Sequence, residues 1–344
     1  MAVTLGDVAR HAGVSLATAS RVLNGSARTV TDELSARVRS SAQELGYLPN
    51  APAQALARAS TATIGVLLHD VADPYFGAIA RAVGDASSKA GLLSLVASTD
   101  ADPEQELHAV RMLHAQRVRA IVLAGSAYTD PAAAGPIDEA LAGYRAQGGV
   151  VTAITEHGPG YDTVSPANRA GAAELVRALI GMGHRRFAVI GGPERLRVSQ
   201  ERLAGVREAL TEAELTLPQD CVLEADFSRE GGRRAAARLV DGHPGELLPT
   251  AILALSDICA VGVLAELRAR GIDVPGRVSV AGFDDVPLAA DLAPPLTSVR
   301  MPLELMGREA VRLALAATPG AEPQVVALPL EVVLRASTAP PARA

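Results

Sequence analysis

Apolar residues near the start of the chain recur at helical spacing, whereas from residue 63 onward they come in short runs separated by longer amphipathic stretches. Leu5, Val8 and Ala12 share one face of a short helix that Thr4 can cap, with Asp7 three residues on as its capping-box partner. Gly13 supplies a tight turn, Ser15 caps a second helix over 16–23, and Asn24-Gly25 is a left-handed stop. A third helix fits 32–45 behind Thr31 as its cap, with Leu34, Val38, Ala42 and Leu45 along one face. Two short helices joined by a glycine turn read as a helix-turn-helix. Ala9, Val14, Ala19, Val22 and Leu23 are its expected core, which leaves Leu16, Ala17, Ser20 and Arg21 to project outward.

The later runs have the length of strands. Segments 64–68, 92–97 and 120–124 alternate with helical stretches near 76–90, from 103, and after 124, which predicts βαβ units around a parallel sheet. The series restarts after Val164: a helix from Asn168, a strand over 187–190, a helix from Ser199, a strand over 251–255, a helix from Ile258 and a strand over 278–281. Two doubly wound lobes follow from the restart, with strand ends facing a shared cleft where a ligand sits and about which the lobes can close.

Composition agrees with a globular chain: 49% of residues are apolar and 20% charged, and 344 residues exceed one typical domain. No stretch approaches 18 uninterrupted apolar residues, and the N-terminus lacks a basic start and an apolar core, so a cytoplasmic protein without a membrane partner is expected. The net charge of -6 is unevenly shared: residues 1–60 net +2, leaving -8 for the rest, a basic head on an acidic body. Cys221 and Cys259 lack CxxC or HxxxH companions and read as buried apolar residues rather than disulfide or zinc ligands. His157, His184 and His243 are scattered with no nucleophile motif, and Gly191-Gly192-Pro193 is not a dinucleotide fingerprint. No catalytic residue, cofactor or metal site is expected.

The run Thr4-Leu5-x-Asp7-Val8-Ala9-x-x-Ala12-Gly13-Val14-Ser15-x-Ala17-Thr18-x-Ser20-Arg21-Val22-Leu23-Asn24-Gly25 resembles the headpiece of the LacI/GalR family of repressors. That resemblance implies that Leu16, Ala17 and Arg21 read base edges. Arg21 would fork onto a guanine, and the two apolar side chains would meet a thymine methyl. It places Thr4, Ser15, Thr18 and Ser20 at phosphate-contacting or capping positions and adds Asn24 to the DNA-facing set. Residues 47–58 resemble the family's hinge helix: Asn50 caps it, Ala53 and Leu56 fall on its DNA-binding positions, and Leu56 matches the leucine that wedges between base pairs in the minor groove. Ala19 stands where the family usually has valine, a small core adjustment.

The body is similar to the family's effector core, related in fold to periplasmic sugar-binding proteins, through Ile64-Gly65-Val66, Asp73-Pro74-Tyr75-Phe76, Gly282-Phe283-Asp284-Asp285 and Pro294-Pro295-Leu296-Thr297-Ser298-Val299-Arg300. The implied ligand contacts are Asp73, Tyr75 and Phe76 from the first lobe, and Asn168, Arg202, Phe227, Asp257 and Asp284 from the second. Such a set suits a sugar: paired charges bracket vicinal hydroxyls and rings cover an apolar face. Ala167 and Ser256 depart from the family's usual Asp and Asn beside Asn168 and Asp257. The expected layout is a headpiece at 1–48, a hinge at 49–60 and a core at 61–344. Within the core, lobe 1 spans about 61–161 and 291–322, and lobe 2 about 162–290 and 323–338. The implied function is a homodimeric repressor on a palindromic double-stranded DNA operator, switched by a small carbohydrate effector. Residues after Arg335 lack a heptad, so no C-terminal coiled coil is expected to build a tetramer. Two rivals remain: a solute-binding protein, which shares the two-lobed fold but needs an export signal and has no use for a helix-turn-helix, and an enzyme on an α/β scaffold, for which no nucleophile, metal or phosphate motif speaks.

Overall fold

The computed structural model describes residues 3–24, 30–47, 61–158, 160–318 and 320–342. The chain divides into two compact units, residues 1–62 with 116–118, and 63–115 with 119–344.

In the first unit, α1 (Leu5–His11), α2 (Leu16–Asn24) and α3 (Asp32–Glu44) enclose a miniature core of Val8, Ala9, Ala12, Ala19, Val38 and Ala42. Val14, Val22 and Leu23, expected inside, pack against this cluster while only partly buried. The capping box forms: Asp7 N–H donates to Thr4 Oγ1 at 3.3 Å and Thr4 N–H to the Asp7 carboxylate at 3.0 Å. The Thr4 hydroxyl donating to the Asp7 carboxylate at 2.6 Å, then the Thr4 N–H and the Arg10 charge, hold the Asp7 carboxyl below its ordinary range. Gly13, at φ 64°, makes the turn into α2. Thr31 is the residue before α3, but its side chain makes no capping bond, so that expectation is corrected.

The second unit opens with β1 (Thr63–Leu68), α4 (Pro74–Lys89), β2 (Leu93–Ser98), α5 (Pro103–Ala115), β3 (Ala120–Leu123), α6 (Pro131–Ala146), β4 (Val150–Ile154) and β5 (Asp162–Pro166). It continues through α7 (Asn168–Gly181), β6 (Phe187–Gly191), α8 (Arg197–Glu212), β7 (Val222–Glu224), α9 (Arg229–Gly242), β8 (Ala251–Ala254), α10 (Asp257–Ala269) and β9 (Ser279–Ala281). The short α11 (Leu288–Asp291), β10 (Ser298–Arg300), α12 (Leu303–Ala316), β11 (Val325–Leu328) and β12 (Glu331–Val333) complete it.

All pairings in the six-stranded sheet β11-β5-β4-β3-β1-β2 and in the four-stranded sheet β7-β6-β8-β9 are parallel. Central strands such as β3 and β8 are buried at every residue because helices cover both faces. The six-stranded sheet takes in 162–166 and 325–328, which the sequence pattern had put in the second lobe. Pairing with β4 decides this, since β5 extends that ladder before the chain crosses over, and β11 returns to flank it. An antiparallel ladder of β10 with β12 lies beside these crossings. In the second lobe, α9 and α10 pack backbone to backbone. A Cβ on Gly262 would lie 1.9 Å from the Arg229 carbonyl oxygen, and one on Gly232 2.2 Å from that of Cys259.

Candidate functional site

A cavity of about 920 Å³ lies between the two lobes. Six of the expected ligand residues stand on its wall: Asp73, Tyr75, Phe76, Arg202, Phe227 and Asp284. Asn168 and Asp257 do not. Both are buried behind the wall, Asn168 at the start of α7 and Asp257 at the start of α10.

Arg202 is the centre of the arrangement. It projects from α8 and is only 3% exposed. Its Nε donates to Asn168 Oδ1 at 3.0 Å, its Nη1 to the Leu255 carbonyl at 2.6 Å, and its face lies 3.8 Å from the centre of the Phe283 ring. Asn168 is oriented in turn, its Nδ2 donating to Glu201 Oε2 at 3.1 Å. Arg202 Nη2 lies 3.1 Å from Asp284 Oδ1, yet that oxygen has no aligned hydrogen-bond donor among the described residues. The contact is therefore ionic. Burial drives the Asp284 carboxyl well above its ordinary pKa, and the Arg202 charge opposes that rise.

Asp257 acts on the same loop from behind. Its carboxylate accepts from Ser298 Oγ at 2.6 Å and from Val286 N–H at 2.9 Å, fixing the chain on the far side of Asp284. The neighbouring Asp285 is held instead by Arg335 at 2.6 Å and Arg300 at 2.8 Å, so of the two adjacent acids only Asp284 faces the cavity. Ser256 does reach the wall, but its hydroxyl is the cap of α10, accepting from Cys259 N–H at 3.2 Å.

From the first lobe, Asp73 caps α4 by accepting from Tyr75 N–H at 2.9 Å, and burial raises its pKa. Tyr75 and Phe76 meet edge to face at 4.9 Å, and His69 tilts over Phe76 at 5.4 Å. His69 was not legible in the sequence. Burial lowers its pKa to about 4, so the ring is neutral and its Nε2 accepts from Ser126 N–H at 3.1 Å. The Ser126 hydroxyl then accepts from Val198 N–H of the second lobe at 3.1 Å. Next to it, Thr129 N–H donates to the Arg195 carbonyl at 2.8 Å and Arg197 N–H to that of Ala127 at 2.9 Å, a short antiparallel contact that ties the lobes at the cavity's side. A second cavity of about 300 Å³ lies along this contact. On its wall is Glu106, which burial pushes up to about 7 and which accepts from Tyr128 Oη at 3.0 Å.

Backbone strain gathers at the main cavity. Of eight non-glycine residues with positive φ among those described, Asp100, Ala101, Thr155, Phe227 and Asp284 are on its wall. A β-branched Thr155 at φ 76° persists only where the surroundings impose it, and such positions concentrate at ligand sites. Gly192 has a clear role here: a Cβ would stand 2.1 Å from the Phe227 ring, so the glycine makes room for an aromatic wall.

The first unit presents an exposed second helix. Ser15 caps α2, its Oγ accepting from Thr18 N–H at 3.1 Å and lying 2.8 Å from Thr18 Oγ1. Leu16, 57% exposed, and Ala17 face outward, while Ser20 and Arg21 are half-buried. Thr4 is engaged in the α1 cap. Asn24 ends α2, and Asn50, Ala53 and Leu56 lie outside the described residues. Of the three histidines singled out in the sequence, His184 is structural: it lies 3.0 Å from Thr250 Oγ1 and 2.9 Å from the Ala339 carbonyl, fastening the C-terminal segment.

A helix-turn-helix unit together with a two-lobed α/β unit around a ligand-sized cavity defines a class of ligand-responsive DNA-binding regulators. Residues 4–50 match the model of bacterial regulatory proteins of the lacI family, and residues 176–338 match a periplasmic binding protein-like domain. The chain is 32% identical over 344 residues to the HTH-type transcriptional regulator DegA of Bacillus subtilis, covering 99% of each. It resembles the structure of the transcriptional regulator CelR–cellobiose complex (TM-score 0.71, 31% identity, 97% of this chain and 99% of that one). It also resembles the lac repressor dimer bound to operator and the anti-inducer ONPF (TM-score 0.83, 26% identity, 98% and 100%). The chain belongs to the LacI/GalR family of transcriptional regulators. It is a DNA-binding regulator and not an enzyme.

Proposed function

We propose that this regulator is a homodimeric repressor of a palindromic operator, working in the cytoplasm, and that a carbohydrate in the interlobe cavity switches it. The observation that carries the ligand class is the buried Arg202–Asp284 pair on the cavity wall. A ligand hydroxyl donates to the Asp284 carboxylate while its neighbour accepts from the guanidinium, and Tyr75, Phe76 and Phe227 cover the apolar faces of the ring. Asp73 supplies a further acceptor, and Asn168 and Asp257 position Arg202 and Asp284 from behind. The size of the cavity suits one or two sugar rings, and the CelR–cellobiose complex supports the same class.

On the DNA side, Arg21, Leu16 and Ala17 read bases in the major groove, and Thr4, Ser15, Thr18, Ser20 and Asn24 set the backbone register. Asn50, Ala53 and Leu56 belong to a hinge that enters the minor groove. A second copy is supported by the edge strand β2, which exposes Leu93 (73%), Leu95 (45%) and Val96 (45%). The effector acts because it favours one arrangement of the lobes, and linkage passes that preference to the DNA-bound state.

Selection of bound sequences from random duplex DNA, followed by calorimetric titration with a panel of mono- and disaccharides, tests this reading. It expects a short palindrome and at least one sugar that binds and shifts operator affinity. An enriched operator with no sugar binding would overturn the carbohydrate assignment, and enrichment of no palindrome would overturn the dimeric operator. Leu56→Ala is expected to weaken operator binding with unchanged sugar affinity; unaltered binding in a gel-shift titration would remove the hinge wedge.

A further inference from the structure

Asp220, Cys221 and His243 converge in the second lobe, with their ligand-type atoms all within 4.8 Å of one another. Asp220 and Cys221 lie in the single turn Gln219–Cys221 that leads into β7, and His243 follows the last residue of α9. The sequence held no sign of this, because neighbouring residues and a histidine 22 positions away match no common metal spacing.

The imidazole decides what the cluster can do. His243 Nδ1 lies 3.1 Å from the Leu239 carbonyl, which can only accept, so Nδ1 carries hydrogen and Nε2 of the neutral ring is a bare lone pair. Two groups crowd that nitrogen, Cys221 Sγ at 3.5 Å and Asp220 Oδ2 at 3.2 Å. One proton on Nε2 can satisfy the carboxylate but leaves the sulfur without a role, and a thiol hydrogen given to Nε2 leaves the carboxylate facing it to water alone. A single cation serves all three. Two of the three separations also have the right size. With Zn–S near 2.3 Å and Zn–N and Zn–O near 2.0 to 2.1 Å, tetrahedral geometry puts S and N about 3.5 Å apart and N and O about 3.3 Å apart.

We infer that Asp220 Oδ2, Cys221 Sγ and His243 Nε2 form a binding site for a divalent metal ion of the zinc class. One thiolate, one imidazole and one carboxylate favour such an ion over magnesium or calcium, which take oxygen alone. Cys221 is buried at 4% exposure and holds the sulfur in place, whereas the Asp220 side chain, 72% exposed, can swing to complete the set at little cost. Asp220 and His243 both line the main cavity, so the fourth coordination position opens toward bound ligand or water. The site lies within the second lobe and stands whether or not the effector is a sugar.

Cobalt(II) titrated into the full-length, chelator-treated, reduced protein tests the assignment. The expected result is saturation at one equivalent, with a thiolate-to-cobalt charge-transfer band in the near ultraviolet and its loss on addition of zinc. Cys221→Ser removes the band and Cys259→Ser retains it. His243→Gln, at a half-buried position past the end of a helix, lowers cobalt affinity on the order of a hundredfold with an unchanged circular dichroism spectrum. Absence of the band at millimolar cobalt, or an unaltered titration in a folded His243→Gln, overturns the site; the latter remains decisive should Cys221→Ser fail to fold.

Discussion

The DNA-reading helix and the wall of the effector cavity are built on opposite terms. Around α2, the placement of side chains is local: Thr4 with Asp7, the Gly13 turn, and Ser15 with Thr18 all act within three residues, and the surface they present is exposed or half-buried. At the cavity, Arg202 is held by Asn168, 34 positions away, and by Leu255, 53 positions away, in a buried network. Reading residues on a locally capped helix can therefore change with little loss of stability. A buried charge network has no such tolerance, because each member compensates the desolvation of the others.

Four substitutions would break or sharpen that contrast. Arg202→Ala leaves Asp284 unpaired and the Leu255 carbonyl without its donor, and should lower stability by about 3–5 kcal/mol in urea unfolding while abolishing the response to effector. A loss within 0.5 kcal/mol, on the order expected of surface changes, would dissolve the distinction. Gly262→Ala should destabilise by about 2–3 kcal/mol by the same measurement, since its Cβ meets the Arg229 carbonyl and the only relief is separation of α9 from α10. Arg21→Ala should leave unfolding unchanged yet weaken operator binding by about 1–3 kcal/mol and erase the preference at one base pair, read in a binding series over operator variants. Ser15→Ala, assayed without DNA, should have the smallest effect, about 1 kcal/mol from the lost cap.

Legibility in the sequence followed the same division. The helix-turn-helix, with Thr4, Gly13 and Ser15 in their roles, and the alternation of strands with helices were readable because both rest on short-range rules. Thr31 misled, since a residue of the right type at the right place does not guarantee a bond. β5 was assigned to the wrong lobe because Asp162-Thr163-Val164-Ser165-Pro166 carries too few apolar residues to mark its partner, and β11 joins it by a pairing that no local pattern encodes. The cavity residues of the first lobe were recognisable from Asp73-Pro74-Tyr75-Phe76, whereas His69 and Gly192 had no motif; their roles exist only because Ser126 and Phe227 are folded against them.

The sequence by itself determined the class of this protein: capping residues, helical and strand periodicity and two linear motifs specify a reading headpiece and a doubly wound ligand core. These are properties of residues a few positions apart, where chain connectivity already sets the distances. Only the tertiary structure decided that Arg202 and Asp284 reach the cavity while Asn168 and Asp257 support them from behind. It alone placed 162–166 and 325–328 in the first sheet and brought Cys221 to His243. Separations between residues remote along the chain are set by packing, and packing leaves no periodic trace in the order of the amino acids.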